Sequence, residues 1–509
     1  MIETKASSQD EQTKMSKKIA QYQHYINGQW GDASDRAVLT TINPSNEEVW
    51  AEVPAASEAD VNRAVAAAKT ALHEGPWATM TATARGKLLR RLGDLIIDKA
   101  DHLGNIETID SGKLLKETRG QTGYVSDYYY YFAGMADKIE GATLPVDKPD
   151  MHVFTTRRPI GVVAAVVPWN AQMFLTATKL GPALAAGNTV VLKASEDAPA
   201  PMFEFAKIVD QAGFPPGVIN VITGYGEPCG RALTGHQDVA RVAFTGGPET
   251  ASRVIQNTSN NYAVVSLELG GKSPILVFDD ADIEGAVNGI IAGNFGASGQ
   301  SCVAGSRVFI QQGIYDQIVA ALVERAQQIR IGDPLKEDTE MGPLATKAQV
   351  DRIIAAVGKS QTQGAELLHG GKQPEQFDKG YYFEPTILGC PSQEIETVQN
   401  EMFGPVLSAL KFSDEDQGIA MANNTRFGLA AGIFTENLAK AHRVSSKIRS
   451  GIIWINTYRA VSPIAPFGGF GHSGFGREAG IEAVLDYTRT KTVWISTSST
   501  PMANPFVMR

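Results

Sequence analysis

From residue 160 onward, short runs rich in β-branched residues alternate with longer segments of helical spacing. Alternation of strand and helix is typical of a parallel sheet, because two parallel strands need a crossover connection. The strand runs are apolar throughout, as expected for strands that helices cover on both faces. The sequence therefore predicts an α/β fold, with strands at 160–167, 189–192, 218–222, 241–244 and 263–267 and helices near 173–185, 199–212, 226–233 and 249–258.

A second alternating block follows the glycine pair at 270–271. We interpret the chain as two α/β lobes joined near residues 269–271. Residues 59–73 and 83–118, which precede both lobes, also show helical spacing. The second block predicts strands at 275–278 and 307–310, helices near 282–297 and 313–329, and further units up to Ile455.

Two segments fit neither lobe. Residues 140–156 contain two prolines and predict a hairpin-like excursion, and residues 488–495 predict an edge strand. Pairing of such strands between subunits would hide their exposed edges. The alternative is a local hairpin with a frayed tail.

Composition excludes several kinds of partner. The 509 residues are 43% hydrophobic, and at about 150 residues per domain they predict two to four domains. A net charge of −9 argues against a nucleic-acid surface or an anionic membrane as the main partner. No apolar run reaches about 18 residues, so we expect no membrane span.

The cysteine and histidine content indicates the compartment and the absence of a metal site. Three cysteines without paired spacing predict no disulfide framework, which fits a reducing compartment and a cytoplasmic location. No two of the eight histidines have metal-ligand spacing, so no metal is expected. Residues 1–20 are polar, and we expect a flexible arm there rather than a secretory signal.

Cys302 is surrounded by small residues in the run 299–307, GQSCVAGSR. Small neighbours pack poorly but leave a sulfur atom open to a substrate and to backbone N–H groups. A free thiol has a pKa of about 8.5, so a small thiolate fraction can attack a carbonyl near neutrality. A buried structural cysteine is the alternative, and the partners of Cys302 favour a nucleophile.

Two polar residues at strand ends are candidate partners of this thiol. Asn170 follows the predicted strand 160–167, and its amide could donate to a developing oxyanion. Glu268 ends an apolar strand, where partial burial would raise its pKa, as suits a general base. The alternatives are a turn-forming asparagine and a salt bridge from Glu268 to Lys272.

The cofactor signals also follow strands. Lys193 and Glu196 could bond ribose hydroxyls, and the carboxylate of Glu196 would repel a 2′-phosphate, which favours NAD over NADP. Gly246 precedes a helix whose first N–H groups could bind pyrophosphate. Glu401 could form a hydrogen bond with a ribose, and Phe403 could pack against a nicotinamide ring. The alternative is that their loop is an ordinary turn. Neither a G-x-G-x-x-G run after a strand nor a P-loop motif is present.

Together these runs resemble the aldehyde dehydrogenase superfamily, specifically its NAD-dependent hydrolytic branch, from Ile26 to about Trp494. Residues 267–272, LELGGK, match the glutamate signature of the family. Residues 299–302, GQSC, match its cysteine signature. Residues 401–406 and 466–469 match two further family blocks.

The resemblance implies a Rossmann-type cofactor domain, an α/β catalytic domain and a small β domain that forms dimers or tetramers. The implied bounds are 1–139 and 160–269 for NAD binding, 270–485 for catalysis, and 140–159 with 486–509 for oligomerisation. It also implies oxidation of a small-molecule aldehyde by NAD, with Cys302 as nucleophile, Glu268 as base and Asn170 as oxyanion donor.

The resemblance also implies roles for further positions that match motifs of the family. Lys179 and Asn456 align with residues that support the site. Gly247 and Ala251 depart from the family pattern, since a serine and a second glycine commonly stand there. The implied cofactor positions are Val166, Trp169, Lys193, Glu196, Gly226, Gly246, Leu269, Gln349, Glu401 and Phe403. The implied substrate pocket consists of Ala171, Gln172, Thr178, Ser301, Val303, Tyr458, Arg459, Val461 and Phe467.

The substrate is less determined than the reaction. Arg459 could pair with a substrate carboxylate or amide, and the loop 456–460 resembles a branch acting on hydroxylactones and functionalised semialdehydes. The alternatives are an NADP-preferring or CoA-acylating semialdehyde dehydrogenase, and a catalytically silent binding homologue. Intact positions 170, 268 and 302 argue against a silent protein.

Overall fold

The computed structural model describes residues 19–502 and 504–507, so the arm expected over residues 1–20 lies almost entirely outside the described residues. The strands are β1 (Ala20–Gln21), β2 (His24–Ile26), β3 (Gln29–Gly31), β4 (Val38–Asn43), β5 (Glu48–Pro54), β6 (Thr143–Leu144), β7 (Met151–Pro159), β8 (Val162–Val166), β9 (Thr189–Ala194), β10 (Ile219–Thr223), β11 (Val239–Thr245), β12 (Val264–Glu268), β13 (Pro274–Val277), β14 (Arg307–Gln311), β15 (Glu366–His369), β16 (Thr386–Gly389), β17 (Val406–Phe412), β18 (Ala430–Phe434), β19 (Ile452–Ile455), β20 (Gly474–Phe475) and β21 (Thr488–Ser496).

Helices cover the larger sheets and connect their parallel strands. They are α1 (Glu58–His73), α2 (Gly75–Thr79), α3 (Ala82–Asp98), α4 (Ala100–Ser111), α5 (Leu115–Met135), α6 (Gln172–Ala185), α7 (Ala200–Ala212), α8 (Arg231–Thr234), α9 (Pro248–Asn257), α10 (Ile283–Phe295), α11 (Tyr315–Gln327), α12 (Lys347–Thr362), α13 (Glu396–Gln399), α14 (Glu415–Asn423), α15 (Leu438–Lys447) and α16 (Gly480–Asp486).

The first large sheet has the strand order β20-β12-β11-β8-β9-β10-β2-β3. Its central strands β12, β11, β8, β9 and β10 are parallel, while β20, β2 and β3 add antiparallel edges. Every residue of β9 is buried, as the apolar run predicts for a strand covered on both faces. This arrangement confirms the predicted parallel α/β block.

The second large sheet has the order β15-β16-β17-β14-β13-β18-β19 and is parallel except for β15. It confirms the second predicted block, including the strands near 275–278 and 307–310. The connection between β12 and β13 contains residues 269–273, so the two sheets are joined where the sequence indicates.

Two three-stranded sheets complete the fold. Strands β1, β5 and β4 form one of them, and β21, β7 and β6 form the other. All nine residues of β21 pair antiparallel with β7, which confirms the strand predicted over 488–495. Trp494 and Ile495 on β21 remain about half exposed.

The structure differs from the sequence predictions in two places. The helical stretch expected over 83–118 is three helices, because α3 ends at Asp98 and α4 ends at Ser111, before Gly112, whose φ of 77° is left-handed. In addition, β20 pairs with β12, so Gly474 and Phe475 belong to the first sheet although the expected catalytic bounds of 270–485 include them. The late part of the chain therefore returns to the first sheet.

Candidate active site

Cys302 lies in a strained loop after helix α10. A 3-10 turn over Gly296–Gly299 follows the helix, and Ala297 and Ser298 within it have φ values of 53° and 52°. Residues other than glycine seldom adopt such angles, and they do so mainly where the surrounding structure enforces them at functional sites. The Cys302 side chain that follows is half-buried and borders a cavity.

Gly271 lets the junction between the two sheets touch this loop. A Cβ atom at Gly271 would lie 2.5 Å from the backbone oxygen of Cys302, so only glycine fits without a shift. The N–H of Gly271 donates to the Glu401 carboxylate at 3.0 Å. The glutamate signature, the cysteine loop and the loop that carries Glu401 therefore meet at one point.

The thiol of Cys302 is held in its neutral form. Burial and the nearby charges of Glu401 and Glu268 raise the pKa of Cys302 to about 12. Burial also raises the pKa of Glu401 to about 7. A base must therefore remove the thiol proton before the sulfur can act as a nucleophile near neutrality.

Asn170 lies beside the backbone of the cysteine loop. It follows β8 at the carboxyl edge of the first sheet, and its Nδ2 donates to the Gln300 carbonyl at 3.1 Å. An amide nitrogen carries two hydrogens, so one N–H remains for an oxygen of a bound substrate. The position fits an oxyanion donor.

Glu268 ends β12 and is buried, with 4% of its surface exposed. Neither carboxylate oxygen has a hydrogen-bond partner within residues 19–502 and 504–507. Burial and the charge of Glu478 raise the pKa of Glu268 well above its usual value, while Lys179 and Arg477 act in the opposite direction. An unpaired carboxylate with a raised pKa suits a general base.

The salt bridge from Glu268 to Lys272, the alternative that the sequence left open, does not form. The Nζ of Lys272 has no hydrogen-bond partner in the described part of the chain. Burial and the charge of Arg307 lower the pKa of Lys272 to about 7. Glu268 is therefore free of the cation that would have given it a purely structural role.

A buried ion pair lies behind Glu268 and joins Lys179, expected to support the site, to a partner that sequence reasoning missed. The Nζ of Lys179, on α6, donates to the Thr245 hydroxyl at 2.6 Å and forms a short hydrogen bond with Glu478. Glu478 lies about 300 residues later in the chain. No pattern around it distinguishes it from an exposed surface glutamate, so only the folded chain reveals this partner.

The cavity beside Cys302 has a volume of about 340 Å³ and contains most of the expected pocket residues. Helix α5 also contributes, through residues that the sequence gave no reason to select. The lining includes the expected Asn170, Ala171, Ser301, Cys302, Val303, Arg459, Val461 and Phe467, and the unexpected Lys113, Glu117, Gln121, Tyr124, Phe174, Leu175, Ala297 and Gln300.

Three expected pocket residues lie outside this lining. Gln172 is fully buried and donates to the Ala198 carbonyl, so its side chain points into the core. Thr178 is buried and donates to Glu478 at 2.6 Å. Tyr458 lies behind the loop and donates to the Val303 carbonyl at 2.9 Å. Asn456, expected to support the site, bonds both the N–H and the carbonyl of Thr435.

A second, larger groove of about 770 Å³ follows the carboxyl ends of β8, β9 and β11. Ligands of open α/β sheets commonly bind at this edge. Lys193 and Glu196 lie in it with Nζ and carboxylate 3.5 Å apart. The expected cofactor residues that line it are Val166, Trp169, Lys193, Glu196, Gly226 and Gly246.

The other four expected cofactor residues lie beyond the lining of this groove. Gln349 donates to the Met402 and Phe403 carbonyls at 2.5 and 2.8 Å. The Phe403 ring packs edge-on against Trp169, with centroids 5.5 Å apart. Leu269 is buried in the apolar cluster beneath the first sheet, and Glu401 bonds Gly271.

The cavity and the groove meet at the end of β8. Trp169 borders the groove, and its chain neighbour Asn170 borders the Cys302 cavity. A molecule in each would approach the other at this point, and the Cys302 thiol borders the same cavity as the Asn170 amide.

Comparison with known proteins decides the family. The model of the aldehyde dehydrogenase family matches residues 30–493. The chain belongs to the aldehyde dehydrogenase family. A relative of this family from Acinetobacter baylyi, a (Z)-2-((N-methylformamido)methylene)-5-hydroxybutyrolactone dehydrogenase, is 54% identical over 96% of this chain and all of its own length.

Solved aldehyde dehydrogenases share the whole fold. A betaine aldehyde dehydrogenase mutant from Staphylococcus aureus, in complex with NAD⁺, has a TM-score of 0.93 and 36% identity, with 96% of this chain and 98% of that chain covered. An aldehyde dehydrogenase from Bacillus cereus, also an NAD⁺ complex, has a TM-score of 0.92 and 37% identity over 97% and 99%. This chain is therefore an enzyme of the aldehyde dehydrogenase kind.

The described residues contain neither a metal-binding cluster nor a membrane-spanning helix. No group of three or more His, Cys, Asp or Glu side chains there could hold a metal ion. No helix in the same residues is long and apolar enough to cross a membrane.

Proposed function

We propose that this aldehyde dehydrogenase uses NAD to oxidise an aldehyde, or its cyclic hemiacetal, to the carboxylic acid through a thioester on Cys302 that water hydrolyses. The observation that carries the proposal is that Cys302 and Asn170 line one cavity beside the groove, while Glu268 lies near enough for its charge to act on the Cys302 thiol. A thiol, an amide donor and a base are the groups that this sequence of steps needs.

The groove fits a dinucleotide. Helix α9 begins at Pro248 after Gly247, and no side chain among residues 19–502 and 504–507 caps its N-terminus, so its first N–H groups can receive pyrophosphate. Lys193 and Glu196 would hold a ribose, and Trp169 with Phe403 would border the nicotinamide end. A bound NAD would supply the acceptor for the hydride that leaves the substrate carbon.

The residues of this chain perform the remaining steps. Once deprotonated, the sulfur of Cys302 attacks the aldehyde carbon, and the new oxyanion receives a hydrogen bond from the Asn170 amide. Oxidation of this adduct leaves an acyl group on the sulfur. The carboxylate of Glu268 then takes a proton from water, and the resulting hydroxide releases the acid and the thiolate.

We propose a functionalised aldehyde as the substrate. The Acinetobacter relative is named for a hydroxybutyrolactone, which is a cyclic hemiacetal ester, and the identity of 54% supports a related substrate here. The experiment is to incubate the purified protein with NAD and a panel of aliphatic, aromatic, hydroxylactone and carboxylated aldehydes while following NADH absorbance. We expect NADH and one equivalent of acid. Absence of NADH with every substrate would contradict the proposal.

Glu196 supports NAD over NADP in this proposal. Its carboxylate borders the groove beside Lys193, where a 2′-phosphate would meet like charge. We expect Glu196→Ser to raise the ratio of kcat/KM for NADP to that for NAD by about tenfold or more, because Lys193 then faces the phosphate alone.

Steady-state kinetics with each dinucleotide measures this ratio. Glu227→Ser is the matched control, since the Glu227 carboxylate borders the same groove but pairs with Arg231 at 2.8 Å. An unchanged ratio in Glu196→Ser would remove the role assigned to this carboxylate.

The architecture supports three further parts of the proposal. Residues 1–139 and 160–269 bind NAD, 270–485 carry the catalytic cysteine, and 140–159 with 486–509 form subunit contacts. The β21-β7-β6 sheet, with Trp494 half exposed, suits a homodimer or homotetramer. A reducing compartment such as the cytoplasm would keep Cys302 as a thiol.

A further inference from the structure

The cavity beside Cys302 has a polar section that the proposed chemistry does not use. Tyr124, Phe174 and Phe467 give the cavity apolar walls. Charged side chains of Lys113, Glu117 and Arg459 also border it. Charges in a substrate cavity constrain the substrate strongly, because solvent screens them poorly there.

Lys113 is not available to a substrate. It is 5% exposed, and its Nζ donates to Glu107 at 3.0 Å and to Gln121 at 2.7 Å. Glu107 is also buried and balances its charge. This part of the wall is therefore electrically neutral.

Once Lys113 is set aside, Glu117 and Arg459 form the charged part of the cavity wall. Glu117 Oε1 accepts from the Ala297 N–H at 3.1 Å, while its buried Oε2 has no partner within the described ranges. Arg459 Nη1 donates to the Ala292 carbonyl at 3.2 Å. Both groups flank Gly296, where an added Cβ would lie 2.1 Å from Arg459 Nη1 and 3.8 Å from Glu117 Oε1. The carboxylate and the guanidinium form no direct ion pair, but they lie on either side of the same glycine, near enough for their opposite charges to attract each other.

A carboxylated substrate does not suit this arrangement. A carboxylate placed on Arg459 would bring a second negative charge close to Glu117, whose Oε2 has no donor in the described residues. A guanidinium has five N–H donors, of which the Ala292 carbonyl takes one. An uncharged carbonyl can accept one of the others and leave the attraction between Glu117 and Arg459 in place.

We infer that the substrate of this enzyme is an uncharged aldehyde or hemiacetal with a second carbonyl group, as in an amide, ester or lactone, that accepts a hydrogen bond from Arg459. The inference rests on the proposed function and adds the substrate class. Glu117 is then the residue that selects against anionic aldehydes.

The test compares three aldehydes of equal length that end in a primary amide, a methyl group or a carboxylate. We expect kcat/KM to fall in that order, with the amide about tenfold or more above the methyl compound, the size of a hydrogen bond to a charged group. Arg459→Met should bring the amide and methyl values together. Glu117→Gln, which keeps the shape but removes the charge, should raise the ratio of carboxylate to amide about tenfold.

Lys116→Met is the matched control. Lys116 is the chain neighbour of Glu117 on α5, but its Nζ donates to the Thr339 carbonyl on the other side of the helix. We expect this loss of a positive charge to leave both substrate ratios unchanged. Thermal unfolding shows whether each variant is folded. If Arg459→Met does not fold, Arg459→Lys replaces it, because lysine retains the charge but lacks the planar set of donors.

The outcomes separate this inference from the function on which it rests. A carboxylated aldehyde that is the best substrate, or an amide no better than the methyl compound, would overturn the inference while leaving aldehyde oxidation intact. If the protein oxidises none of the three, the proposed function fails. In that case calorimetric binding of the same amide and carboxylate still decides the preference of the cavity.

Discussion

Cys302→Ala is expected to abolish NADH production from every aldehyde that the unaltered protein oxidises. Alanine cannot form the covalent adduct, so the loss should be on the order of 10⁴-fold or more, as for other nucleophile deletions. NADH absorbance measures the rate. Dinucleotide binding, followed by quenching of protein fluorescence, should remain, because the groove is built from other residues.

Cys390→Ala is the control for this substitution. Cys390 is buried in the apolar cluster of the second lobe, 6% exposed, so its replacement should lower stability without removing a reacting group. The expected pattern is an active Cys390→Ala beside an inactive Cys302→Ala. If Cys302→Ala still oxidised all of these aldehydes, the nucleophile would have to be another residue.

Glu268→Gln should release one equivalent of NADH per active site in a burst and then turn over slowly. Oxidation precedes the hydrolysis step to which Glu268 is assigned, so the acyl group accumulates on Cys302 when this carboxylate is absent. General base catalysis typically contributes 10²- to 10⁴-fold, and we expect a loss of about this size in the steady-state rate. Rapid mixing resolves the burst, and intact-protein mass spectrometry detects the acylated subunit.

The pH dependence of hydrolysis follows from the burial of Glu268. Only the carboxylate form can accept a proton, and burial raises the pKa of this residue well above its ordinary value. The steady-state rate should therefore rise with pH as Glu268 loses its proton and level off above that pKa. Glu268→Gln should lack this inflection. A variant that hydrolyses its acyl group at the normal rate, with the same pH profile, would contradict the assignment of the base.

The sequence predicted what depends on short, continuous signals. The strands of both sheets are apolar runs, and the polar residues at their ends, such as Asn170 and Glu268, lie at one edge because parallel strands end together. The small residues around Cys302 indicated an open sulfur. The half-buried position of Cys302 beside a cavity agrees with that prediction.

What the sequence did not predict depends on contacts between distant segments. Glu478 becomes the partner of Lys179 only because the chain returns to the first sheet, and Glu117 enters the cavity because α5 crosses beside the cysteine loop. Gln172 shows the opposite error, since this polar residue, two positions after Asn170, was expected in the pocket. Its amide instead bonds the Ala198 carbonyl in the core.

The return of β20 and α16 to the first sheet has a consequence for how the protein is made. The strand that covers β12 and the counter-ion of Lys179 are both translated after the entire second lobe. While the nascent chain is still on the ribosome, the N-terminal half carries an open sheet edge and a buried ammonium group without its anion. These two contacts can form only when synthesis is nearly complete, so the N-terminal half completes its structure together with the second lobe rather than before it.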